Sequence, residues 1–282
     1  MQHSQKFKIT RVQGHGIIVA NDVIATEEPL EIRIGFRATA GRQEKSVSIT
    51  MRTPGADDEL AAGFLCAEGI LRSPDDIIEI WHRSPPVPGS DLRNVIRVDL
   101  VDGADVDFER LERHFYTTSS CGVCGKASLD ALRIQSNHVT AIEESGFEIH
   151  LDDVLALANK LEEKQKVFGE TGGLHASGLF DATGEIIIAR EDVGRHNAMD
   201  KLIGRLFMDN KLPAAAHGIV VSGRTSFELV QKVSMAGVPV LVAVGAPSSL
   251  AIDVARQFGI TLVGFLRDGR FNIYSAGQRI KT

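Results

Sequence analysis

Apolar and polar residues alternate over parts of the first fifty positions. The stretch EEPLEIRIGF at 27–36 places an apolar side chain at every second position, with charges between several of them. VSITM at 47–51 also alternates and is rich in β-branched residues. A period of two predicts strands that bury one face. We therefore expect the chain from Phe7 to about Met51 to be mostly β-strand.

A helix is predicted next, over TPGADDELAAGFLCAEGI at 53–70. Three acidic residues at 57–59 crowd its start, where the helix dipole favours negative charge, and Gly69 fits its end. Cys66 falls at an apolar position of this helix, which predicts a buried structural thiol. Two strand candidates follow, IIEIW and NVIRVDL, on either side of a proline-rich loop.

The second half of the chain changes to a pattern of helices and short apolar runs. An amphipathic helix is predicted at 152–168, with Asp152 or Asp153 as its N-cap. From Glu185 onward, strand candidates alternate with helical patterns; the apolar runs are EIIIA, HGIVVS, PVLVAV and ITLVGFL. Continuous apolar runs are typical of a parallel sheet covered by helices on both faces.

The fold class predicted from these patterns is α/β. It comprises a layered α/β core in the C-terminal half and a smaller, β-rich N-terminal subdomain. We place the N-terminal subdomain at 7–115 and the core at 116–282, with a cysteine-containing loop at the start of the core.

Composition and charge exclude several classes of protein. The chain has 282 residues and a net charge of −6, and its isoelectric point is about 5.9. An acidic balance argues against nucleic acid or an anionic membrane as a partner. The N-terminus has no apolar core of a secretion signal, and no apolar run approaches the roughly 18 residues of a membrane span. We expect a cytoplasmic protein with no membrane partner.

The motif TTSSCGVCGKAS at 117–128 holds two of the three cysteines, Cys121 and Cys124. Structural zinc needs four ligands, and neither a second cysteine pair nor a suitably spaced histidine pair completes such a site. A deaminase-type zinc site needs H-x-E and P-C-x-x-C; no histidine has glutamate two positions on, and Ser120 precedes Cys121. We expect no metal bound by the protein's own side chains.

Two thiol chemistries fit this motif. A redox dithiol needs a preceding strand in a βαβ unit, whereas the residues before Cys121 are polar. A persulfide carrier needs a mobile thiolate, which Gly122 and Gly125 would permit and Lys126 would stabilise. The second cysteine, Cys124, could resolve or relay the sulfur by exchange. The spacing alone leaves both chemistries open.

Three further motifs carry polar residues at places where a ligand could bind. SGRTSFE at 222–228 opens a helix after a strand, so Arg224 and the helix start could bind phosphate, or Thr225 and Glu228 could form a plain capping box. EDVGRHNAMDK at 191–201 is either a buried ion-pair network or part of a site. His175, between glycine pairs, is either a ligand contact or a hydrogen-bonded loop histidine.

The stretch SSCGVCGKASLDAL resembles the signature of the FdhD/NarQ family of formate dehydrogenase accessory sulfurtransferases. The resemblance extends in order over nearly the whole chain, through EEPLEIRI, TPGADDELAAGFLCAEGI, TGGLHASGLF, EDVGRHNAMDKLIG, SGRTSFELVQK, GAPSSLAIDVA and TLVGFLRDGRFNIYS. The chain departs from the family pattern at Gly245, where serine is common, and in the loop around 84–90.

The resemblance implies a cytidine-deaminase-like core without deaminase chemistry. It implies that Cys121 is the persulfide cysteine and Cys124 the second cysteine of the motif. It further implies a sulfurtransferase that takes sulfur from a cysteine desulfurase and delivers it to Mo-bis(molybdopterin guanine dinucleotide) before that cofactor enters formate dehydrogenase, whose activity requires the transfer.

The resemblance also assigns a cofactor-binding segment. This is FLRDGR, consisting of Phe265, Leu266, Arg267, Asp268, Gly269 and Arg270, and we expect Arg224 and Ser226 to assist it with the bound acceptor's phosphates. We further expect a homodimer. The alternative functions are a thiol–disulfide oxidoreductase that uses Cys121 and Cys124, and a non-catalytic cofactor chaperone.

Overall fold

A computed structural model describes residues 3–38, 41–87, 91–104 and 138–282. Cys121, Cys124 and the domain boundary at 115/116 lie outside the described residues, so the roles of the cysteines and the division into domains stay predictions. The strands of the described ranges are β1 (Ser4–Gln13), β2 (Gly16–Ala25), β3 (Glu28–Ala38), β4 (Gly41–Arg52), β5 (Ile77–His82), β6 (Val95–Leu100), β7 (Ile149–His150), β8 (His175–Phe180), β9 (Ile186–Asp192), β10 (Gly218–Val221), β11 (Val240–Ala243), β12 (Thr261–Arg267), β13 (Arg270–Ser275) and β14 (Ile280–Lys281).

The α-helices of the same ranges are α1 (Asp57–Ala67), α2 (Val139–Glu143), α3 (Leu151–Lys164), α4 (Lys166–Thr171), α5 (Arg195–Met208), α6 (Phe227–Met235) and α7 (Ser249–Gln257). Short 3₁₀ turns occupy Pro74–Asp76 and Gly277–Arg279. Strands and helices therefore alternate through the second half of the chain, and the mixed α/β class is confirmed. In the described part of the chain, no helix is long and apolar enough to cross a membrane.

The larger sheet has six strands in the order β13-β12-β11-β10-β8-β9. Its β10, β11 and β12 are parallel, as their apolar runs predicted, whereas β8, β9 and β13 pair antiparallel to their neighbours. For the run EIIIA, which falls in β9, the prediction of a parallel strand is wrong. The β8–β9 and β12–β13 pairs follow from short connections, because a tight turn can join only antiparallel strands. The third antiparallel pair, β8 with β10, is connected through β9 and α5. The sheet is therefore mixed, with a parallel centre and antiparallel edges.

Both faces of this sheet are buried. Alternate residues of the central strands enter two separate cores. Ile219, Val221, Leu241 and Ala243 join the larger core with α1, α5, α6 and α7; Val220, Val240, Val242 and Val263 join the smaller core with Val154, Leu157 and Leu161 of α3. The prediction of a sheet covered on both faces is confirmed.

The N-terminal part forms a second sheet of four strands, in the order β4-β3-β6-β5. Its apolar face supplies Leu30, Ile32, Ile34, Ile96 and Val98 to the same larger core that covers the six-stranded sheet. The strands predicted between 27 and 51 are confirmed. The strands β1 and β2 form a separate antiparallel hairpin whose Val12, Ile17 and Val19 are exposed.

The amphipathic helix predicted at 152–168 is shorter than expected. It ends at Lys164, and a second helix begins at Lys166, because Gln165 has non-helical dihedral angles of φ −84° and ψ 78°. The predicted aspartate cap is also wrong. The ring nitrogen Nδ1 of His150 accepts a hydrogen bond from the backbone N–H of Asp152, and both aspartates lie in the first turn instead.

Helices α1 and α5 cross with their backbones in contact. An added Cβ at Gly63 would lie 1.8 Å from the carbonyl oxygen of Asp200, and one at Gly204 would lie 1.8 Å from the carbonyl oxygen of Glu59. Neither position therefore has room for a side chain. This crossing joins α1, which connects β4 and β5 of the four-stranded sheet, to α5, which precedes β10 of the larger sheet.

We predict that Gly63→Ala and Gly204→Ala each lower the free energy of unfolding by about 1–3 kcal/mol, because the added methyl group forces the two backbones apart. Urea unfolding followed by circular dichroism measures the change. Gly169→Ala is the matched control: Gly169 is also helical, but a Cβ there meets no atom within 4 Å. The control should be neutral or gain up to about 1 kcal/mol. Equal stability of all three variants would contradict the close crossing.

Candidate functional site

Five segments of the six-stranded sheet converge at one edge. The parallel strands β10, β11 and β12 all end there. Because β8 runs antiparallel to β10 and pairs His175 with Asp192, the start of β8 and the end of β9 lie at the same edge. The carboxyl ends of parallel strands are the usual location of ligand sites in α/β proteins. We call this region the carboxyl edge, formed by His175, Asp192 and the loops at 222–226 and 244–248, with Phe265.

Backbone hydrogen bonds connect the loops of the carboxyl edge. The N–H of Gly245 donates to the carbonyl oxygen of Gly223 over 3.1 Å, and the N–H of Phe265 donates to the carbonyl oxygen of Gly245 over 3.0 Å. A Cβ at Gly245 would lie 2.8 Å from the backbone nitrogen of Arg224. Glycine at 245, the departure from the family pattern, is therefore required for this loop packing.

The start of α6 has no side-chain cap. Its N-cap residue is Ser226, whose hydroxyl lies 3.2 Å from Nε2 of His196 rather than against the helix backbone. The Thr225 hydroxyl is buried and has no hydrogen-bond partner among the residues that the structure describes. The capping box considered for Thr225 and Glu228 is therefore not formed. The positive end of the helix dipole remains available to an anion.

Positive charge is concentrated beside this helix start. Arg224 is exposed on the loop and Arg195 opens α5; neither guanidinium forms an ion pair with an acidic side chain within the described ranges. Burial, and then the charge of Arg195, lower the pKa of His196 to about 4. Burial, Arg195 and Arg224 also lower the pKa of His175. Both histidines are therefore neutral near pH 7, while the two arginines supply cationic hydrogen-bond donors.

The polar residues of the motif EDVGRHNAMDK have two different roles: some stabilise the fold, and others face the carboxyl edge. Its Asp192 is fully buried; the carboxylate accepts the N–H of Thr53 over 3.1 Å and the N–H of Gly194 over 2.8 Å, and lies 2.7 Å from Nζ of Lys201. Glu191 accepts two backbone N–H groups at the start of α4. These two acids are structural, whereas Arg195 and His196 face the carboxyl edge.

The predicted cofactor-binding segment is a tight hairpin turn. Asp268 and Gly269 have φ of 55° and 68° between the paired Arg267 and Arg270, as in a type I′ turn. Both arginines are exposed. The guanidinium carbon of Arg267 lies 5.6 Å from the centre of the Phe265 ring.

Phe265 itself sits at an irregularity of β12. Its φ of 57° is unusual for an aromatic residue, and the register between β12 and β13 shifts between Gly264 and Arg267. Such strained bulges often adjoin functional sites. The next residue, Leu266, is buried in the smaller core, so its side chain faces the core, not solvent.

The structure brings some of the predicted site residues together. Arg224, Ser226 and Phe265 meet at the carboxyl edge, and the hairpin arginines lie just beyond Phe265 on the same strand pair. The residues that were noticed in the sequence but not assigned to the site are His175, Arg195 and His196. Arg195 and His196 follow β9 in a cluster of charged residues, and His175 opens β8 after two glycines. Neither signal distinguishes a ligand site from a structural role.

Cys66 is confirmed as a buried structural thiol. It is 6% exposed, and burial, followed by the charge of Asp200, raises its pKa to about 12. A thiol with so high a pKa is almost fully protonated at neutral pH and is a poor nucleophile. Thiol chemistry at this cysteine is therefore disfavoured.

Comparisons with known proteins agree on one family. A family model described as the FdhD/NarQ family matches residues 25–281. A sulfur carrier protein FdhD of Streptomyces avermitilis is 45% identical over 278 residues, covering 98% of this chain and 95% of the relative. One from Mycolicibacterium paratuberculosis is 45% identical over 281 residues, covering 99% and 100%. One from the archaeon Sulfurisphaera tokodaii is 39% identical over 276 residues, covering 98% of each.

A solved structure supports the fold. A crystal structure from Desulfotalea psychrophila, assigned as a formate dehydrogenase accessory protein, superposes with a TM-score of 0.71 over 99% of this chain and 100% of that chain. The sequence identity is 21%, so this likeness is evidence for the fold alone. The cytidine-deaminase-like fold of the core stays a prediction.

We predict that His196 makes the protein sensitive to mild acid. Its pKa is lowered from 6.5 to about 4 on folding, so the unfolded chain binds more protons between these values, and stability falls as the pH falls through this window. His196→Gln should therefore lose less stability than the wild type between pH 7 and pH 5, measured by urea unfolding. His15→Gln, exposed at the hairpin turn, is the control. Identical pH dependence of the wild type and His196→Gln would contradict the prediction.

Proposed function

The chain belongs to the FdhD/NarQ family, and from this premise we propose that it is a sulfurtransferase that carries sulfur as a persulfide on Cys121. The sulfur comes from a cysteine desulfurase. The acceptor substrate is Mo-bis(molybdopterin guanine dinucleotide), which then enters formate dehydrogenase. The observation that carries the proposal is the family match over residues 25–281, together with relatives named as sulfur carriers, which this chain matches over 95% and 100% of their length. We expect the carrier to work as a homodimer in the cytoplasm.

Sulfur is accepted by thiol exchange. The Cys121 thiolate attacks the outer sulfur of the desulfurase persulfide, a new S–S bond forms on Cys121, and the S–S bond of the donor breaks. The donor cysteine leaves as a thiolate, so no external oxidant or reductant is needed. Cys66, which lies within the described ranges, is unsuited to this step because its pKa is raised to about 12.

Delivery of sulfide can use the second cysteine of the motif. The Cys124 thiolate attacks the inner sulfur of the Cys121 persulfide, which forms a Cys121–Cys124 disulfide and releases the outer sulfur as hydrosulfide to the acceptor. The two electrons that reduce the sulfur come from the two cysteines. A thiol reductant then restores the dithiol before the next cycle.

The acceptor must be held near the motif by local positive charge, because the protein is acidic overall. The uncapped start of α6, with Arg224 and Ser226, is a suitable anion site, and the arginines of the hairpin turn, Arg267 and Arg270, are exposed donors on the neighbouring strand pair. Gly269 leaves the turn open, since no side chain projects there. These residues support a site for the phosphates of a guanine dinucleotide.

We predict that Cys121→Ala abolishes activation of formate dehydrogenase in cells lacking the native protein, while the fold is kept. The purified wild type, incubated with a cysteine desulfurase and cysteine, should gain the mass of one sulfur atom, and Cys121→Ala should not. Cys124→Ala should accept sulfur but activate the client poorly. Cys66→Ala is the control and should behave as the wild type.

The same mass measurement separates the alternatives. A thiol–disulfide oxidoreductase would change by the mass of two hydrogens without gaining sulfur, and a cofactor chaperone would show neither change. Normal client activity in cells carrying Cys121→Ala would refute the persulfide assignment.

We predict that the protein binds GDP more tightly than ADP, and that Arg270→Ala weakens GDP binding by about 1.5–3 kcal/mol, the value of a charge-assisted hydrogen bond. Arg267→Ala and Arg224→Ala should weaken it by similar amounts. Isothermal calorimetry measures the affinities, and Arg11→Ala, exposed on the N-terminal hairpin, is the matched control. Unchanged GDP affinity in all three variants would remove these residues from the site.

A further inference from the structure

The hairpin of β1 and β2 is held at its base and projects from the rest of the chain. At the base, the N–H of Thr26 donates to the carbonyl oxygen of His3 over 2.9 Å, and Nδ1 of His3 lies 2.7 Å from the carbonyl oxygen of Pro54. Every residue from 10 to 19 is exposed, and within the described ranges neither strand pairs with a third strand. Ten residues per strand give the hairpin a length of about 30 Å. It is therefore an arm with a fixed base and a free outer half.

The outer half of the hairpin carries a cluster of exposed apolar side chains on one side. Val12 pairs with Ile17, and Thr10 pairs with Val19, two positions nearer the base, so these four side chains point to the same side of the hairpin. Val12, Ile17 and Val19 are 68%, 72% and 66% exposed. A two-stranded hairpin alone is marginally stable in water, and clustered exposed apolar side chains are typical of interaction surfaces. We call these four residues the outer face.

The hairpin and the rest of the chain have net charges of opposite sign. The hairpin carries three basic residues, Lys6, Lys8 and Arg11, and one acidic residue, Asp22. The whole chain has 31 basic and 37 acidic residues, so the part outside the hairpin has a net charge of −8. Arg11 and Asp22 lie 3.7 Å apart on the opposite side of the hairpin, whereas Lys6 and Lys8 share the side of the outer face but lie nearer the base. On this side, the charged half is therefore separated along the hairpin from the apolar half.

This separation makes the outer face complementary to itself. A twofold axis at Thr10 and Val19 would place two hairpins face to face in opposite directions. Val12 and Ile17 of one copy would then lie against Lys8 of the other copy, whose aliphatic stem can cover them while its ammonium group stays in water. Because the lysines of the two copies lie at opposite ends of this arrangement, like charges do not meet. The length of the two hairpins also keeps the acidic remainders of the chains apart, which reduces their repulsion.

We propose that the outer face is the contact surface between two copies of this chain. Packing of the two outer halves buries on the order of 1,000 Å², which is the lower limit for a specific interface and implies a weak dimer. The inference rests on the proposed function, because it assigns an interface to the homodimer expected there. The interface lies in the first 25 residues, outside the residues of the carboxyl edge and the cysteine motif.

Sedimentation equilibrium of the full chain over a concentration series measures the dimer. The wild type should pass from a monomer of 30.6 kDa to a dimer, with a dissociation constant on the order of 10 µM, as befits a small interface. Ile17→Lys should raise this constant at least about tenfold, because it places a second cation against Lys8 twice in each dimer. Ile49→Lys is the matched control, since Ile49 lies on β4 and is 69% exposed. It should dimerise as the wild type does.

An exchange of charges separates a direct contact from a folding defect. Ile17→Glu places a carboxylate against Lys8 and should weaken the dimer less than Ile17→Lys does. Addition of Lys8→Glu to Ile17→Lys should restore most of the affinity that Ile17→Lys loses, because opposite charges then meet across the axis. Thermal unfolding verifies that each variant is folded.

Two kinds of result overturn the proposal. One is a wild type that stays monomeric throughout the series; the other is a dimer that Ile17→Lys leaves unchanged or that Ile49→Lys weakens equally. Co-sedimentation with vesicles of phosphatidylcholine and phosphatidylglycerol tests a different occupant of the same surface. A monomeric wild type that binds these vesicles, when Ile17→Glu does not, shows that the outer face contacts lipid instead of a second copy.

Sulfur transfer is measured separately, as the mass gained after incubation with a cysteine desulfurase and cysteine. If the wild type is monomeric and gains sulfur, the interface is wrong and the proposed sulfur carriage stands. If the wild type dimerises through the outer face and gains no sulfur, the sulfur carriage fails and the interface stands.

Discussion

The contact between Gly63 of α1 and Gly204 of α5 fixes the relative position of the two sheets. Because neither glycine leaves room for a Cβ, the helix backbones touch, and both helices enter the larger core that the two sheets share. Arg190 and Glu59 link α1 to β9, and the buried carboxylate of Asp192 binds the backbone of Thr53. The first turn of α5 is thereby held at the carboxyl edge, where it presents Arg195 and His196.

Charged groups serve two different purposes in this protein. Buried acids have basic partners at short distance, as in Asp192 with Lys201 and Asp200 with Lys232, and such pairs fix geometry more than they add stability. At the carboxyl edge, Arg195 and Arg224 are left without acidic partners among the described residues. An acidic chain thus keeps a local positive site, and the uncapped start of α6 adds a further partial charge to it.

The carboxyl edge and the cysteine motif are complementary parts of one proposed mechanism. The cysteine motif would supply the sulfur chemistry, a proposal that rests on the chain's membership of the family. In this proposal the edge binds the phosphates of the acceptor, through the uncapped start of α6 and the arginine of the loop before it. A carrier needs both, because its acceptor must be held while a sulfur atom moves to it, and the two tasks require opposite properties: a reactive thiol and an unreactive, preorganised binding site.

Much of the fold could be predicted from local patterns. Period-two alternation identified the strands between 27 and 51. Continuous apolar runs identified the parallel centre of the larger sheet, but one of them, EIIIA, belongs to the antiparallel edge strand β9. Prediction from these patterns failed where the local sequence did not show that a helix is interrupted or that a strand forms. The non-helical Gln165 divides the helix predicted at 152–168, and β8 was not recognised because its glycine-rich sequence lacks the apolar run of its neighbours.

The sequence by itself determined the family, and through the family the chemistry that we propose, because the cysteine motif and the ordered segments around it are contiguous in the chain. Only the tertiary structure decided which polar residues meet. His175, Arg195, His196 and Arg224 are spread over fifty positions, and they share one edge because β8 runs antiparallel to β10. Burial, which lowers the pKa of His196 and raises that of Cys66, likewise depends on packing between distant segments, and no local pattern in the sequence records it.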